Sequence, residues 1–176
     1  MALGLLDQED NPTLLREHWQ QMASYYAMIT PEGRGQVRNL AGFKAPLVSY
    51  GLTPSDRLNL GDGLRKLSEL LFAAGAVTLY PGLNGVGKIS SAAEVAKLPL
   101  QVQSGQANLM TIHLFSSCPM GENRDRCATD SFGRVHGFDN LFVSDASLLC
   151  SAPGVNPQGT VMALAQRNAR AFLKTL

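Results

Sequence analysis

The sequence lacks the features that would point to a membrane or to nucleic acid. It has no run of 18 or more apolar residues and no signal peptide with a basic start and a small-residue cleavage site. Lys and Arg number 15 against 14 Asp and Glu, which gives a net charge of +1, and the basic residues are scattered. We therefore expect no membrane span and no nucleic-acid partner. The compartment stays open at this point, with the cytoplasm favoured.

Cysteine is scarce, and motifs built on metals or serine nucleophiles are absent. The three cysteines, Cys118, Cys127 and Cys150, form an odd and irregular set that fits neither a disulfide framework nor a zinc site. The sequence also contains no HExxH, paired CxxC or GxSxG motif. These absences argue against a metalloenzyme or a hydrolase, and we expect no bound metal.

A glycine-rich turn of the dinucleotide-binding type is missing as well. Such a fold begins with a strand followed by G-x-G-x-x-G, in which the glycines let a pyrophosphate approach the backbone. The segment Gly82-Leu83-Asn84-Gly85-Val86-Gly87 has a different spacing and is predicted to form a loop. We therefore expect no complete nucleotide site in these residues.

What is present is sufficient for one domain over residues 1–176. The 45% hydrophobic fraction allows a sizeable core. Residues 22–30 and 36–40, separated by a Pro-Glu-Gly-Arg-Gly turn, are predicted to form a hairpin, and residues 46–52 a third strand. Residues 77–80 and 109–115 are predicted to be further short strands.

Helical signals follow the first strands and end the chain. Thr53-Pro54-Ser55-Asp56 is a capping box with proline at the first helical position, and Gly75 is the expected stop. Ser91 and Glu94 are predicted to cap a brief helix, and Asn156-Pro157 to begin the last one, with Asn156 as N-cap. The apolar residues at helical spacing are Leu60, Leu64, Leu67, Leu71 and Ala74, and later Val161, Leu164, Ala165, Ala169, Phe172 and Leu176. An antiparallel or mixed sheet with helices on one face is an α+β fold.

His113 and Asn156 are the side chains best suited to chemistry. Oxidising an alcohol requires removal of the hydroxyl proton while hydride leaves the same carbon, and an imidazole can accept that proton near neutral pH. Asn156 offers both a donor and an acceptor, so it can hold a substrate oxygen without titrating. Each residue also has an ordinary explanation, because a histidine after an apolar run is often a core residue and Asn before Pro is a common turn or N-cap.

An ordered series of motifs surrounds this pair. His113 opens a segment that ends Cys-x-Met-Gly, then come Gly133-Arg-Val-His-Gly-x-Asp-Asn-Leu, Asp145-Ala-Ser, and Pro153-Gly-Val-Asn-Pro-Gln. In this order the motifs resemble the carboxy-terminal signature of the GMC (glucose–methanol–choline) oxidoreductases, flavoenzymes that dehydrogenate alcohols with FAD. The resemblance implies that His113 is the base and Asn156 its catalytic partner.

The resemblance also implies which residues contact the flavin. Asp145 and Ala146 match positions that lie against FAD, and Asn156, Pro157 and Gln158 begin a helix that faces the N1–C2=O edge of the ring. The partial positive charge of that helix terminus would favour hydride arrival at N5. Residues 138–147 are predicted to form a turn that leads into a short buried strand ending at Asp145. The alternatives are that Asp145 is a surface residue at the end of that strand, and that the last helix simply packs on a core. Gly133 to Gly137, including His136, is predicted to be structural.

A complete GMC enzyme also has an amino-terminal FAD-binding Rossmann domain, which this chain lacks. The resemblance therefore implies the carboxy-terminal substrate-binding and catalytic portion of an FAD-dependent alcohol oxidase or dehydrogenase, with its last helix packing toward the FAD domain. Its expected partners are a small-molecule alcohol and that domain. The isolated chain, with an incomplete FAD site, is expected to be inactive. The alternative is a non-catalytic, truncated domain that packs against a partner chain.

Overall fold

The computed structural model of the protein describes residues 17–111 and 113–174. These residues group into two compact units, which divide between Leu109 and Met110. The prediction of a single domain over residues 1–176 stays a prediction. Among the described helices, none has the length and apolar character needed to cross a membrane.

A two-stranded hairpin begins the first unit. Strand β1 (Gly35–Arg38) pairs antiparallel with β2 (Leu47–Tyr50). Both strands were predicted, but the predicted pairing of residues 22–30 with 36–40 is wrong, since residues 22–30 form no strand. The Tyr, Met and Ile side chains of residues 22–30 favour extended backbone, but they do not determine which strand would pair with it. The partner of β1 instead follows it, after a loop that includes Gly42 at φ +85°.

Helix α1 (Pro54–Ala73) follows the hairpin and starts as the sequence predicts. The amide of Asp56 donates to Oγ1 of Thr53 at 3.1 Å, and the amide of Thr53 donates to the carboxylate of Asp56 at 2.8 Å. This reciprocal pair is a complete capping box. The helix ends next to Gly75, whose φ of +96° suits a residue without a Cβ.

The core of the first unit lies between α1 and the chain that follows it. The buried residues are Leu83, Ile89, Val95, Leu98 and Val102, and Leu60, Leu64, Phe72, Leu79, Val86 and Ala107 pack against them. The brief predicted helix is a 3-10 helix, Ala92–Lys97, in which Ser91 makes no side-chain cap. Its Glu94 carboxylate accepts from the amide of Ser90 instead, at 2.7 Å. The strand predicted at residues 77–80 is reduced to an isolated bridge between Leu79 and Ile89.

Helix α2 (Gln158–Leu173) dominates the second unit. Its residues Val161, Leu164 and Ala165 are half-buried, in agreement with the predicted apolar face. That face continues through Asn168, which is buried, whereas Ala169 and Phe172 are exposed. Leu176, the last predicted member, lies outside the described residues. The hairpin together with these helices is a small α+β arrangement, which confirms the predicted fold class.

Candidate active site

His113 lies on extended backbone at the start of the second unit. Its side chain is half-buried, and its ring centroid is 6.2 Å from that of Phe115 with the planes inclined at 41°. The prediction of a strand at residues 109–115 is wrong for the six of these residues that the structure describes, which form no strand. Leu109, Met110 and Leu114 are all exposed, so no neighbouring strand covers their side chains in the described part of the chain.

The chain turns sharply just after His113 and then runs beside a second segment. Ser116 has a φ of +63°, and its hydroxyl donates to the carbonyl of Leu149 at 2.9 Å. The amide of Cys118 donates to the carbonyl of Ser147 at 3.2 Å, and the amide of Met120 to that of Leu148 at 3.0 Å. Three hydrogen bonds thus hold residues 116–120 against residues 147–149. A positive φ at a non-glycine residue is uncommon and often marks a functional segment.

Asp145 and Ala146 lie at the start of this second segment. Asp145 is exposed and caps the 3-10 helix Ala146–Leu148, because its Oδ1 accepts from the amide of Ser147 at 2.8 Å. Leu148 is completely buried and anchors the turn. The prediction of a buried strand before Asp145 is wrong, because only Phe142 makes a bridge there, with Arg134, and its side chain is exposed.

Asn156, Pro157 and Gln158 form the entry to α2. Asn156 is exposed and Pro157 is buried, and the carbonyl of Pro157 accepts from the amide of Val161 at 2.8 Å. The N-cap position is therefore Pro157 and not Asn156, one residue later than predicted. Pro157 has no side-chain acceptor for the first-turn amides, so no side chain caps them at this position. The side chain of Asn156 is left exposed before the helix.

The structure does not test the proposed pair of His113 and Asn156. Three hydrogen bonds join residues 116–120, which follow His113, to residues 147–149, which follow Asp145 and Ala146. No hydrogen bond joins His113 to Asn156 among the described residues. The assignment of both as catalytic residues stays a prediction.

The carboxy-terminal half of α2 contains two polar residues, Arg167 and Asn168, that were not predicted from the sequence. Arg167 donates to the carbonyl of Ser131, and its guanidinium carbon lies 4.9 Å from the centroid of the Phe132 ring. It also donates to Oδ1 of the buried Asn168, from Nη2 at 3.0 Å and from Nε at 3.2 Å. These contacts fix α2 against the turn before Gly133. Asn168 follows Leu164 by four residues, so its place on the inward face was visible in the sequence.

His136 contacts a backbone carbonyl and borders a separate cavity. Its Nε2 lies 3.0 Å from the carbonyl oxygen of Gly121. A polar cavity of about 470 Å³ lies beside it, and none of the predicted catalytic residues lines it. The lining residues are Glu122, Arg124, Asp130, Arg134, Val135, His136, Gly137, Phe138 and Asp139. The carboxylate of Asp130 pairs with Nε of Arg134 at 3.4 Å within this wall.

The cysteines take no part in a disulfide or a metal site in the described residues. Cys118, Cys127 and Cys150 are free thiols. The thiol of Cys150 lies 3.3 Å from the carbonyl oxygen of Met120 and so adds to the contact between the two segments. No group of three or more His, Cys, Asp or Glu side chains in the described part of the chain could hold a metal ion.

Comparison with known proteins assigns the family. A family model described as GMC oxidoreductase matches residues 31–165. A GMC-type oxidoreductase of Sinorhizobium fredii is 48% identical over 175 residues, which is 98% of this chain and 34% of that protein. This chain belongs to the GMC oxidoreductase family. It corresponds to the family's carboxy-terminal part, and it spans about a third or less of the length of the relatives it matches.

Two further relatives of this GMC chain have names that state an activity. A long-chain-alcohol oxidase of Arabidopsis thaliana is 31% identical over 160 residues, covering 84% of this chain and 20% of the relative. A 6'''-hydroxyparomomycin C oxidase of Streptomyces lividus is 38% identical over 135 residues, covering 77% of this chain and 21% of the relative. Both are oxidases, which agrees with the oxidoreductase role of the family.

The residues at the entry to α2 fit one end of an FAD molecule in a GMC protein. The first-turn amides after Pro157 have no side-chain cap, and Gln158, Gly159 and Thr160 are exposed. Uncapped amides at a helix N-terminus suit an acceptor that carries negative charge. The exposed Asp145 can accept hydrogen bonds from hydroxyl groups, and Ala146 presents little steric bulk. No pyrophosphate-binding turn accompanies them in the sequence, so these residues fit part of the cofactor.

Proposed function

We propose that this chain is the substrate-binding and catalytic portion of an FAD-dependent enzyme that oxidises an alcohol. The chief support is the hydrogen-bonded contact of residues 116–120 with residues 147–149, which ties the segment of His113 to the Asp145–Ala146 turn. A base and a cofactor-contacting turn must be close together for proton removal and hydride transfer to occur on one carbon atom. The hydrogen bond between Ser116 and Leu149 joins residues 33 positions apart in sequence, which supports the proposal.

In the proposed reaction His113 removes the proton of the substrate hydroxyl. The side chain is half-buried, so it is partly shielded from solvent and partly accessible. The proton leaves the oxygen for a ring nitrogen, and the electron pair of the O–H bond forms the new C=O bond as hydride departs from the carbon. FAD, when bound, accepts that hydride.

Asn156 and the start of α2 stabilise the substrate oxygen in this proposal. The Asn156 side chain is exposed, and the structure assigns the capping position to Pro157. An amide that does not cap its own helix can donate to the oxygen on which negative charge develops. The uncapped amides of α2 add a fixed positive potential in the same region. Neither contribution requires a second titrating group.

The substrate class in this proposal is a CH–OH donor. The names of two relatives support it, since one is a long-chain-alcohol oxidase and the other oxidises a hydroxyl-bearing compound, 6'''-hydroxyparomomycin C. Their named substrates differ greatly in size and polarity. The proposal therefore extends to the alcohol group itself and not to one carbon skeleton.

A chimera tests this function directly. In the chimera, this chain replaces the matching part of the Sinorhizobium fredii relative. The remaining residues of that relative supply the sequence that this chain does not include. We expect the purified chimera to contain FAD, and a panel of alcohols to include one that bleaches its absorbance near 450 nm. We expect the isolated chain to bind FAD weakly and to turn over no alcohol. A flavin-free but folded chimera, or tight stoichiometric binding with turnover by the isolated chain, would contradict the proposal.

A further inference from the structure

Ser116 has an unusual backbone conformation three residues after the proposed base, His113. In the described part of the chain it is the only residue other than glycine with a positive φ, at +63°. A residue with a Cβ is disfavoured in this left-handed region, so contacts with its surroundings must hold it there. Strained backbone of this kind is concentrated at functional sites.

One side-chain hydrogen bond holds Ser116 against a fixed part of the second unit. Its hydroxyl donates to the carbonyl of Leu149 at 2.9 Å. Leu149 follows the completely buried Leu148, whose amide donates to the carbonyl of Asp145 at 3.3 Å. The acceptor therefore belongs to the turn that Leu148 anchors, and not to the segment of His113.

Residues 113–115 are not held by hydrogen bonds of their own in the part of the chain that the structure describes. Leu114 is 69% exposed, and the ring contact between His113 and Phe115 lies within the segment itself. Ser116 is therefore the first hydrogen-bonded residue after the proposed base. On this side of His113, the placement of the imidazole depends on the direction in which the chain leaves Ser116.

The φ of Ser116 sets that direction. Rotation about its N–Cα bond turns residues 113–115 relative to residues 117–120, and His113 lies up to about 10 Å along the chain from this bond. The φ that most residues adopt is negative, roughly 120° away, and such a change would displace the imidazole by several ångströms. A misplacement of about 1 Å is enough to slow a catalysed reaction by about a hundredfold.

We infer that Ser116 is a positioning residue for the base, because its hydrogen bond to Leu149 holds the positive φ that directs the chain to His113. This inference rests on the proposed function, in which His113 removes the proton of the substrate hydroxyl. Ser116 acts through His113 and does not itself contact the substrate or the flavin. Its loss should therefore lower the rate of flavin reduction and have little effect on the binding of alcohol or FAD.

Ser116→Ala and Ser117→Ala in the chimera are a matched pair of variants. Both serines are exposed, but among the described residues the side chain of Ser117 makes no hydrogen bond. Stopped-flow absorbance over a range of alcohol concentrations gives the limiting rate of flavin reduction and the apparent Kd of the alcohol. We expect Ser116→Ala to lower the limiting rate by about 10–100-fold and to change Kd by less than about threefold. Ser117→Ala should leave both near normal, and equal limiting rates in the two variants overturn the inference.

A double-mutant cycle with His113→Ala separates positioning of the base from a general structural effect. In a chimera that already lacks the imidazole, Ser116→Ala should slow flavin reduction further by less than about twofold. An equal fold-loss with and without the imidazole would overturn the inference and leave His113 as the base. If His113→Ala alone reduces flavin at the normal rate, the proposed base is wrong and this inference is wrong with it.

Ser116→Gly provides a second variant should Ser116→Ala fail to fold. Glycine adopts this φ without a steric penalty but cannot donate to Leu149, so the turn is kept while the hydrogen bond is lost. We expect a limiting rate about tenfold below that of the unsubstituted chimera. The amides of Cys118 and Met120 should also exchange hydrogen at least about tenfold faster than in Ser117→Ala. Exchange is measured whether or not the chimera holds FAD, and unchanged exchange overturns the inference.

Discussion

The carboxylate of Asp56 accepts a hydrogen bond from the backbone amide of Gly33, 23 residues earlier in the chain, at 3.0 Å. The same carboxylate accepts from Glu32 and Thr53, and the side chain is completely buried. A buried carboxylate is costly unless its oxygens are satisfied, and here three amides satisfy them. Asp56 thereby acts as more than a helix cap, because it joins the start of α1 to both ends of the hairpin.

Asp56→Asn should destabilise the first unit substantially. The substitution replaces one accepting oxygen with an NH₂ group, which would face a backbone amide that has lost its acceptor. We expect a loss of about 2–3 kcal/mol in the free energy of unfolding, measured by urea denaturation. Asp62→Asn is the control, because Asp62 forms an exposed ion pair with Lys66 at 2.8 Å and should cost less than about 0.5 kcal/mol. Equal losses in the two variants would show that Asp56 is no anchor.

The stability that Asp56 contributes should depend on pH. Burial raises the pKa of Asp56, but the hydrogen bonds from the amides of Glu32, Thr53 and Gly33 outweigh burial and hold that pKa below its ordinary value. A depressed pKa in the folded state contributes stability that is present above the unfolded pKa of about 3.9 and is lost as the pH falls through the lower folded value. The difference in free energy of unfolding between wild type and Asp56→Asn should therefore be constant above about pH 5 and shrink below about pH 4. Urea titrations across this range measure it, and a difference that grows on acidification would contradict this assignment.

Elements with local signals were predictable from the sequence. The capping box at Thr53 and the stop at Gly75 are formed by residues within one turn of each helix end, so short-range spacing is enough to identify them. The span of the hairpin strands was also predictable, but the pairing was not. A strand's partner depends on residues distant in sequence, and the composition of residues 22–30 gave no information about whether a neighbouring strand exists.

In the candidate site, too, features with local sequence signals were predictable and contacts between distant residues were not. The assignment of Asp145, Ala146 and the start of α2 as flavin contacts comes from motifs in the sequence and stays a prediction, and the structure moves the N-cap by a single residue, to Pro157. The contact of Ser116 with Leu149 joins residues 33 positions apart and depends on a positive φ that Ser does not signal. The spacing places Asn168 on the inward face of α2, but the sequence does not show which turn Arg167 and Asn168 will contact.

The same substitution, glycine to alanine, can be compared at Gly133 and Gly137. Both have a φ of +87°, but a Cβ on Gly133 would lie 2.3 Å from the carbonyl oxygen of Val143, whereas a Cβ on Gly137 meets nothing within 4 Å. Gly137→Ala should cost only the backbone penalty of about 1–2 kcal/mol. Gly133→Ala should cost about 1–3 kcal/mol more, because the backbone around Val143 must shift. Thermal and urea unfolding compare the two, and similar losses would remove the close approach at Gly133 as a constraint.

His113→Ala tests the proposed base in the chimera. We expect the rate of flavin reduction by alcohol to fall by about 10²–10⁴-fold, with bound FAD largely unchanged, because proton removal is lost and the flavin contacts lie elsewhere. His136→Ala is the control: its ring contacts the carbonyl of Gly121, so its loss should lower stability by about 1 kcal/mol and leave the reduction rate near normal. Stopped-flow absorbance measures both rates. Near-normal reduction in the His113 variant would exclude it as the base.

A capping role and a catalytic role for Asn156 predict opposite effects of substituting this residue. A simple N-cap would tolerate Asn156→Asp and lose about 1 kcal/mol in Asn156→Ala. Because the cap position is Pro157, we expect Asn156→Ala to change stability by less than about 0.5 kcal/mol.

The kinetic effects of Asn156 variants should instead be large. Asp at this position puts a negative charge beside a developing alkoxide, so Asn156→Asp should fold normally, with the helix terminus even favouring the charge by about 0.3–1 kcal/mol, yet reduce its flavin slowly. Asn156→His keeps a hydrogen-bond donor without adding a negative charge and should retain more activity than the Asp variant. Melting temperature and stopped-flow reduction of the three chimera variants separate the two roles. If Asn156→Asp reduces flavin as fast as the unsubstituted chimera, the side chain has no part in stabilising the substrate oxygen.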